Sequence, residues 1–295
     1  MSAKPTVLCF GEILWDFLPD GLYVGGAPFN VAYHLHQHDV SAHLVSAVGN
    51  DLLGEELIRR MEAWRLPTDA VARLPDATTG YVRASLGKSG DAKYIITEGV
   101  AWDHISTPES VRRLAAKTDA VVFGSLAQRG EGNRKTLSGL LGTLRSAALR
   151  VFDVNLRPPY DDLNLIGTLA KSATLTKLNA EEAARLADDP AHPEGREEAH
   201  ARAVAEASGC PLVCITAGGR GAGLLREGTW RWEEGRKVAV ADTVGAGDSF
   251  LASLVAGLIK GGSSDGKLLA RACRLGEWVA TKRGATPSYD PSTPL

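Results

Sequence analysis

Asp242-Thr243-Val244-Gly245-Ala246-Gly247-Asp248-Ser249-Phe250 joins an extended run to an apolar-periodic helix. Upstream, Trp230, Trp232, Val238 and Val240 read as the extended run, ending at Asp242. Downstream, Phe250, Leu251, Leu254, Val255, Leu258 and Ile259 share one helical face, and Gly261-Gly262 stops the helix. The turn between them is glycine-rich, so its backbone can come very close to a ligand. The first amides of such a helix lack intrahelical partners and sit at the positive end of its dipole. Gly245, Ala246 and Gly247 therefore form a candidate anion hole. Asp248 does not suit that place as a phosphate ligand, because like charges repel. It suits a base that takes the proton from a hydroxyl attacking phosphorus. A first-turn aspartate that only caps its helix accounts for the same residues.

Outward from this turn, short apolar runs alternate with helical patterns. Strands are expected at Val7–Phe10, His43–Val48, Ala120–Phe123, Arg150–Val154, Thr174–Lys177 and Pro211–Ile215. Helices are expected at Phe29–His36, Gly54–Trp64, Pro108–Ala116, Gly132–Ala148, Ala180–Ala187, Glu194–Ala207, Ala246–Lys260 and Ser264–Thr281. The alternation predicts an α/β fold, a mostly parallel sheet covered by helices on both faces. Two segments break the rhythm, about 12–24 and 79–100. Their apolar and polar residues alternate around Gly or Asp turns, as hairpin strands of a small flap over a cleft would.

A chain of 295 residues with 44% hydrophobic content is enough for one large domain spanning 1–295. A formal net charge of -2 leaves no electrostatic footprint for nucleic acid or a membrane surface. No apolar run approaches the roughly 18 residues that span a bilayer. The start lacks a basic-then-apolar signal layout, so a cytoplasmic protein is expected. Cys9, Cys210, Cys214 and Cys273 are scattered and read as buried or unremarkable thiols. His34 and His38 would share a helical face, but no third ligand stands near, so a solvated helix is expected there.

Four further clusters suit phosphoryl transfer to a polyol. Asp16 precedes the turn Gly25-Gly26-Ala27-Pro28-Phe29-Asn30, and Asp16 with Asn30 can grip vicinal hydroxyls while Gly25 and Gly26 admit the sugar. Asp153-Val154-Asn155-Leu156-Arg157 ends a strand on the side where open α/β sheets bind ligands, and Arg157 can neutralise phosphate charge. Asn179 and Glu182, three apart at a helix start, fit a magnesium-water cluster or, equally, a capping box. Thr216-Ala217-Gly218-Gly219-Arg220-Gly221 is a turn able to pass under nucleotide phosphates or ribose. Gly261-Gly262-Ser263-Ser264-Asp265-Gly266-Lys267-Leu268 nearly spells a phosphate-binding P-loop. Leu268 stands where a hydroxyl must hold magnesium, and the stretch follows a helix, so a helix-helix loop is expected.

Together these residues resemble the ribokinase-like, or PfkB, carbohydrate kinases. The resemblance runs from Gly11-Glu12-Ile13-Leu14-Trp15-Asp16 to Gly284-Ala285-Thr286 and includes Val48-Gly49-Asn50-Asp51 with Gly54. Gly11 to Pro19, the Gly-Gly-Ala-Pro turn and Gly99-Val100-Ala101-Trp102-Asp103 are most similar to bacterial fructokinases. The resemblance implies a three-layer α/β/α domain with a β-lid that also forms a homodimer contact. It implies Asp248 as catalytic base, Gly245 to Gly247 as anion hole, and Asp16, Gly26 and Asn30 at the sugar. Asn179 and Glu182 match a magnesium and phosphate motif, and Thr216, Gly218 and Gly221 match nucleotide contacts. Asp242, with backbone near Val244 and Gly284, resembles a monovalent-cation site of the kind that takes potassium. Two places depart from the family. Gln37-His38-Asp39-Val40 stands where Leu-Gly is usual and Trp64-Arg65-Leu66-Pro67 where Gly-Val is common; both read as surface loops.

The expected activity is ATP- and magnesium-dependent phosphorylation of a sugar primary hydroxyl, fructose first. The same pattern admits 2-keto-3-deoxygluconate, ribose or a nucleoside as acceptor, with Arg83 as the cation a keto acid would need. A catalytically dead sugar sensor fits less, since Asp248 and the anion hole are intact. A nucleotide-binding oxidoreductase also fits less, since no G-x-G-x-x-G follows the opening strand.

Overall fold

The computed structural model describes residues 4–18, 21–86 and 92–295, the side chains of 84–86 and 92–94 excepted. Residues 19–20 and 87–91, parts of the two expected flap segments, lie outside the described residues, and with them Pro19. The first half of the chain forms β1 (Thr6–Phe10), β2 (Leu14–Leu18), β3 (Gly21–Gly25), α1 (Ala27–Gln37), β4 (Ser41–Gly49) and α2 (Leu52–Ala63). It continues with β5 (Val71–Leu74), β6 (Tyr81–Leu86), β7 (Ala92–Ile96), α3 (Glu109–Ala115), β8 (Ala120–Gly124) and α4 (Glu131–Gly142). The second half forms β9 (Leu149–Asp153), α5 (Leu163–Lys171), β10 (Leu175–Asn179), α6 (Ala180–Leu186) and α7 (Glu197–Ser208). Last come β11 (Leu212–Thr216), β12 (Gly221–Arg226), β13 (Thr229–Glu234), α8 (Ala246–Lys260) and α9 (Asp265–Ala280).

The main sheet has the order β13-β12-β11-β10-β9-β8-β1-β4-β5. From β5 to β11 the pairs are parallel, and β12 and β13 add an antiparallel edge. Strand β1 shows why the sheet is covered twice. Val7 and Cys9 enter the core beneath α1, α2, α8 and α9, while Leu8 and Phe10 enter the core beneath α3 to α7. A strand apolar on both faces requires a helical layer on each, which gives three layers. Chain order reverses direction at β1, flanked by β4 and β8, and the crevice beyond the strands' carboxyl ends opens there.

A second sheet, β3-β2-β6-β7, forms the lid. Register sorts its faces. Phe17 pairs with Leu22 and Arg83, and Arg83 with Ile95, on the outer face; Asp16 pairs with Tyr23 and Val82 on the other. Both roots of the lid are pinned. At one, Asp51 accepts from Gly54 N (2.8 Å), Thr79 N (2.8 Å) and Thr79 Oγ1 (2.7 Å). At the other, Arg129 donates to both oxygens of Asp103 (2.7 Å each) and to Thr97 O (2.6 Å). Its guanidinium lies 4.0 Å over the Trp102 ring and 4.9 Å from that of Tyr160, whose hydroxyl bonds Glu98.

The structure departs from expectation in a few places. β13 ends at Glu234, not at Asp242, because Ala241 N and Asp242 N donate to Ala280 O at the end of α9 (2.9 and 3.3 Å) rather than to a strand. The helix expected over Gly132–Ala148 stops at Gly142. Strands β5 and β12 and helix α5, capped by Asp162 onto Asn164 N (2.9 Å), were not expected. α8 is buried from Asp248 to Ala256 on every side, because α1 packs on one flank and α9 on the other. The two family departures place non-glycine residues in left-handed backbone, Asp39 at φ 58° and Arg65 at φ 59°. The P-loop lookalike spans the connection between α8 and α9 and, from Asp265 to Leu268, the first turn of α9.

Candidate active site

Gly245 begins α8 with φ 79°, in the left-handed region that favours glycine, and no side chain caps the helix. A Cβ on Gly245 would lie 2.6 Å from Ala285 Cα and O, so the Gly284–Ala285 segment seats directly against the turn. Ala246 N reaches Thr243 O at 3.3 Å; the amides of Gly247 and Asp248 have no partner among the described residues. Beneath them lies a buried cation. Lys177 Nζ would stand 3.2 Å from a Cβ on Gly247, and it pairs with Asp153 Oδ1 at 3.0 Å. The opening of α8 thus presents open donors above a buried ammonium.

Asp248 occupies the first turn of α8 and is 9% exposed. Burial, then the nearby charge of Asp153, pushes its carboxyl up to about 6, against the pull of Lys177 and Arg157. Its Oδ2 accepts from Asn30 Nδ2 at 2.8 Å. Asn30 belongs to α1, whose opening at Gly26 also lacks a side-chain cap. Here the helix amide is taken: Glu12 Oε1 accepts from Ala27 N at 3.2 Å. Gly26 has φ 110°, and a Cβ there would come within 2.4 Å of Glu12 O. A Cβ on Gly25 would fall 2.2 Å from Asp16 Oδ2, so only glycine leaves room for that carboxylate. Burial pushes Asp16 up to about 6 and Glu12 up to about 7, and the Arg157 charge pulls both down. The charge of the exposed Arg157 therefore acts on three carboxyls, Asp16, Glu12 and Asp248.

The remaining positions surround this centre. Asn179 and Glu182 form the capping box at the start of α6, each accepting from the other's amide at 2.8 Å. Glu182 Oε1 also accepts from Leu156 N at 2.7 Å, so each oxygen accepts one amide. Thr216 ends β11 with its hydroxyl on Leu178 O (3.3 Å); Gly218 faces open space at φ 57°. A Cβ on Gly221 would strike Glu233 O, so that glycine is also needed by the β12–β13 pairing. Asp242 accepts from Val244 N and Gly284 N, each at 3.0 Å.

The profile of the pfkB family carbohydrate kinases matches residues 20–292. This chain belongs to that family. A protein of Pyrococcus horikoshii described as an uncharacterized sugar kinase is 30% identical over 275 residues, 90% of this chain and 84% of the relative. Its structure in complex with ATP superposes with a TM-score of 0.80, covering 95% of this chain and 94% of that one. A fructokinase of Rhizobium leguminosarum bv. trifolii is 28% identical over 268 residues, covering 85% and 79%. The ATP-bound fructokinase of Xylella fastidiosa shares the fold with a TM-score of 0.85 at 20% identity over 96% of this chain and 94% of that one. The ribokinase-like three-layer fold is thereby established for this carbohydrate kinase.

Some features of the kinase were not read from its sequence, and two readings need correction. Glu12, Asp153 and Lys177 were given no role. Each is a buried ionisable group in or beside a glycine turn or a strand end, and that pattern was the available signal. His34 is not on a solvated helix: it is 0% exposed, with Nε2 at 2.9 Å from Ala285 O and Nδ1 at 2.8 Å from Tyr289 Oη. α1 is covered there by the C-terminal segment, which its periodicity could not reveal. Arg83 lies on the lid's outer face, opposite to Asp16, because strand alternation separates positions 82 and 83. A surface hollow of about 530 Å³ lies elsewhere, between α7 and β13 at Arg202, Trp230 and Trp232. All four cysteines are free and buried. Among the described residues no helix is long and apolar enough to cross a membrane. Nor does any group of three His, Cys, Asp or Glu there converge as a metal site. Each Glu182 oxygen accepts one amide and keeps a second lone pair, so the residues fit a hydrated magnesium carried on nucleotide phosphates.

Proposed function

We propose that this carbohydrate kinase transfers the γ-phosphoryl group of ATP to a sugar primary hydroxyl, that of fructose, with Asp248 as general base. The reading rests on one observation. Asp248 lies at the open helix end that suits a phosphoryl group, and it is bonded by Asn30 from the turn that suits the sugar. A carboxyl pushed up to about 6 takes a hydroxyl proton near neutral pH as that oxygen attacks phosphorus and ADP leaves. The Gly245–Gly247 amides, Lys177 below them and Arg157 stabilise charge on the transferring group. Asp16 and Asn30 hold the acceptor's other hydroxyls, across from Gly25 and Gly26. Thr216, Gly218 and Gly221 border the nucleotide, and Glu182 would hold, through water, the magnesium that accompanies it, which would neutralise phosphate charge.

Fructose is favoured by the fructokinase relatives and by the hydrogen-bonding groups of Asp16 and Asn30, with Arg157 given to the transferring phosphoryl group. A keto-acid acceptor is disfavoured by the outward placement of Arg83; ribose and nucleosides are separated from fructose by assay. A monovalent cation at Asp242, Val244 and Gly284 rests on the resemblance alone; each Asp242 oxygen accepts one amide and keeps a second lone pair. The exposed row Phe17, Leu22 and Ile95 suits a homodimer through the lid. Buried free thiols suit the reducing cytoplasm. The test is a panel of fructose, ribose, 2-keto-3-deoxygluconate and adenosine with ATP and magnesium, read by coupled ADP release. Fructose should lead. A tenfold higher kcat/KM for another acceptor would replace fructose, and no ADP release with any would sink the kinase chemistry.

A further inference from the structure

His34 lies one helical turn after Asn30, so both point from the same face of α1. Asn30 reaches Asp248, whereas His34 reaches the carbonyl of Ala285. That same carbonyl oxygen is among the atoms that press on Gly245, where a Cβ would come within 2.6 Å of it. The ring is fully enclosed, and the chemistry of its partners fixes its tautomer. A carbonyl oxygen only accepts, so Nε2 carries the proton; Nδ1 is then the acceptor and takes the Tyr289 hydroxyl proton. One neutral imidazole thus ties α1, the Gly284–Ala285 segment and Tyr289 together behind the anion hole. Tyr33 Oη, donating to Pro287 O at 2.9 Å, secures the segment two residues further on.

We propose that His34 is a positioning residue for phosphoryl transfer, its Nε2 proton fixing the Ala285 carbonyl that sets the Gly245 turn. The proposal rests on the anion-hole reading of that turn. It distinguishes two roles on one helix face, since Asn30 touches the base while His34 acts only through backbone. A turn displaced by a fraction of an ångström moves its amides away from the transition-state oxygens without closing either substrate pocket. The signature is therefore a fall in kcat with both KM values held, as expected for interactions realised in the transition state.

The experiment compares full-length wild type with His34→Gln, His34→Asn and His34→Leu. Glutamine keeps a donor near Nε2 and stays neutral; asparagine is too short to reach Ala285; leucine removes both bonds while filling the space. His34→Asn and His34→Leu should lose about ten- to a hundredfold in kcat, the scale of a small misplacement remote from the reacting atoms. KM for sugar and ATP should stay within about threefold, and His34→Gln should recover most of the loss. Hydrogen exchange without substrates should accelerate in peptides covering 243–249 and 283–288 in the asparagine and leucine variants, but not in glutamine. Wild-type kcat in His34→Asn, or equal losses in all three variants, would overturn the proposal. Loosened peptides in an enzyme that phosphorylates no acceptor would instead refute the kinase reading, and with it the catalytic purpose, leaving only the tie between His34 and the Gly245 turn. If His34→Leu does not fold, the glutamine–asparagine pair decides alone.

Discussion

The openings of α1 and α8 follow one local pattern and end in opposite electrostatic states. Each begins at a glycine with positive φ, Gly26 at 110° and Gly245 at 79°, and neither has a side-chain cap. α2, α5 and α6 do have one, from Asp51, Asp162 and Asn179. At α1, among the described residues, only the Phe29 amide stays free. Glu12 takes the Ala27 amide, and Pro28 has no proton to offer. At α8 the Gly247 and Asp248 amides stay open, with Lys177 beneath them. A glycine turn into a helix therefore does not define an anion site by itself. What defines it is whether the surrounding fold consumes the donors. The closed end suits an acceptor of hydroxyls and the open end a phosphoryl group.

The sharpest test of that division is Asp248→Asn, which should lower kcat by about 10²–10⁴-fold with nucleotide binding intact. If the variant keeps a tenth of wild-type kcat at saturating sugar, Asp248 is not the base. Ionisation should also be visible in wild type, as an acid limb in kcat near pH 6. The stability effect has the opposite sense. Because the folded carboxyl is raised from 3.8 to about 6, its stabilising contribution is whole below pH 4 and is lost as pH rises through 6. Relief of a buried charge worth at most about 3 kcal/mol should raise the Tm of Asp248→Asn above that of wild type at pH 7.5, and not at pH 4.

At the closed end, Asp16→Ala should raise KM for sugar about ten- to a hundredfold while KM for ATP stays near wild type, reflecting a lost charge-assisted hydrogen bond. Equal shifts for both substrates would remove Asp16 from the acceptor pocket. Gly245→Ala and Gly26→Ala form a matched pair, since each puts a Cβ against backbone, at 2.6 Å and 2.4 Å. On the order of a tenfold effect is expected from each, in kcat for the first and in sugar KM for the second. An identical kinetic profile for the two would erase the distinction between the ends. Smallest of all, Tyr160→Phe unfastens Glu98 at one lid root and should raise sugar KM only about two- to threefold. A larger change would mean that the root carries part of the acceptor site.

Much of this was legible in the chain. The strand at Val7–Phe10 is apolar at every position because both its faces are covered, and helix α8 was bounded correctly by Ala246 and by the glycines after Lys260. Asn30 and Asp248, which meet across the crevice from 218 positions apart, were each singled out by a glycine turn. What escaped is long-range by nature. His34 is a core residue only because Ala285 and Tyr289 return to cover α1, and periodicity within one helix carries no trace of that. Lys177 looked like an ordinary strand end until Asp153 and Gly247 surrounded it. The outward direction of Arg83 depends on register across three strands, which a one-residue slip would reverse.

The tryptophans give the lid a further property. Trp15 of β2 and Trp102 beside the far root are both 0% exposed, and they sit in unlike surroundings. Each ring lies beneath a guanidinium, Arg60 at 4.8 Å and Arg129 at 4.0 Å, but the Trp15 indole donates to Leu53 O at 3.0 Å while the Trp102 N–H has no partner among the described residues. Indole emission depends on polarity and nearby charge, so a shift of either root changes the colour or brightness of one ring and not of the other. Two of the six tryptophans thus stand where a movement of the lid alters their emission, without an attached dye and without turnover.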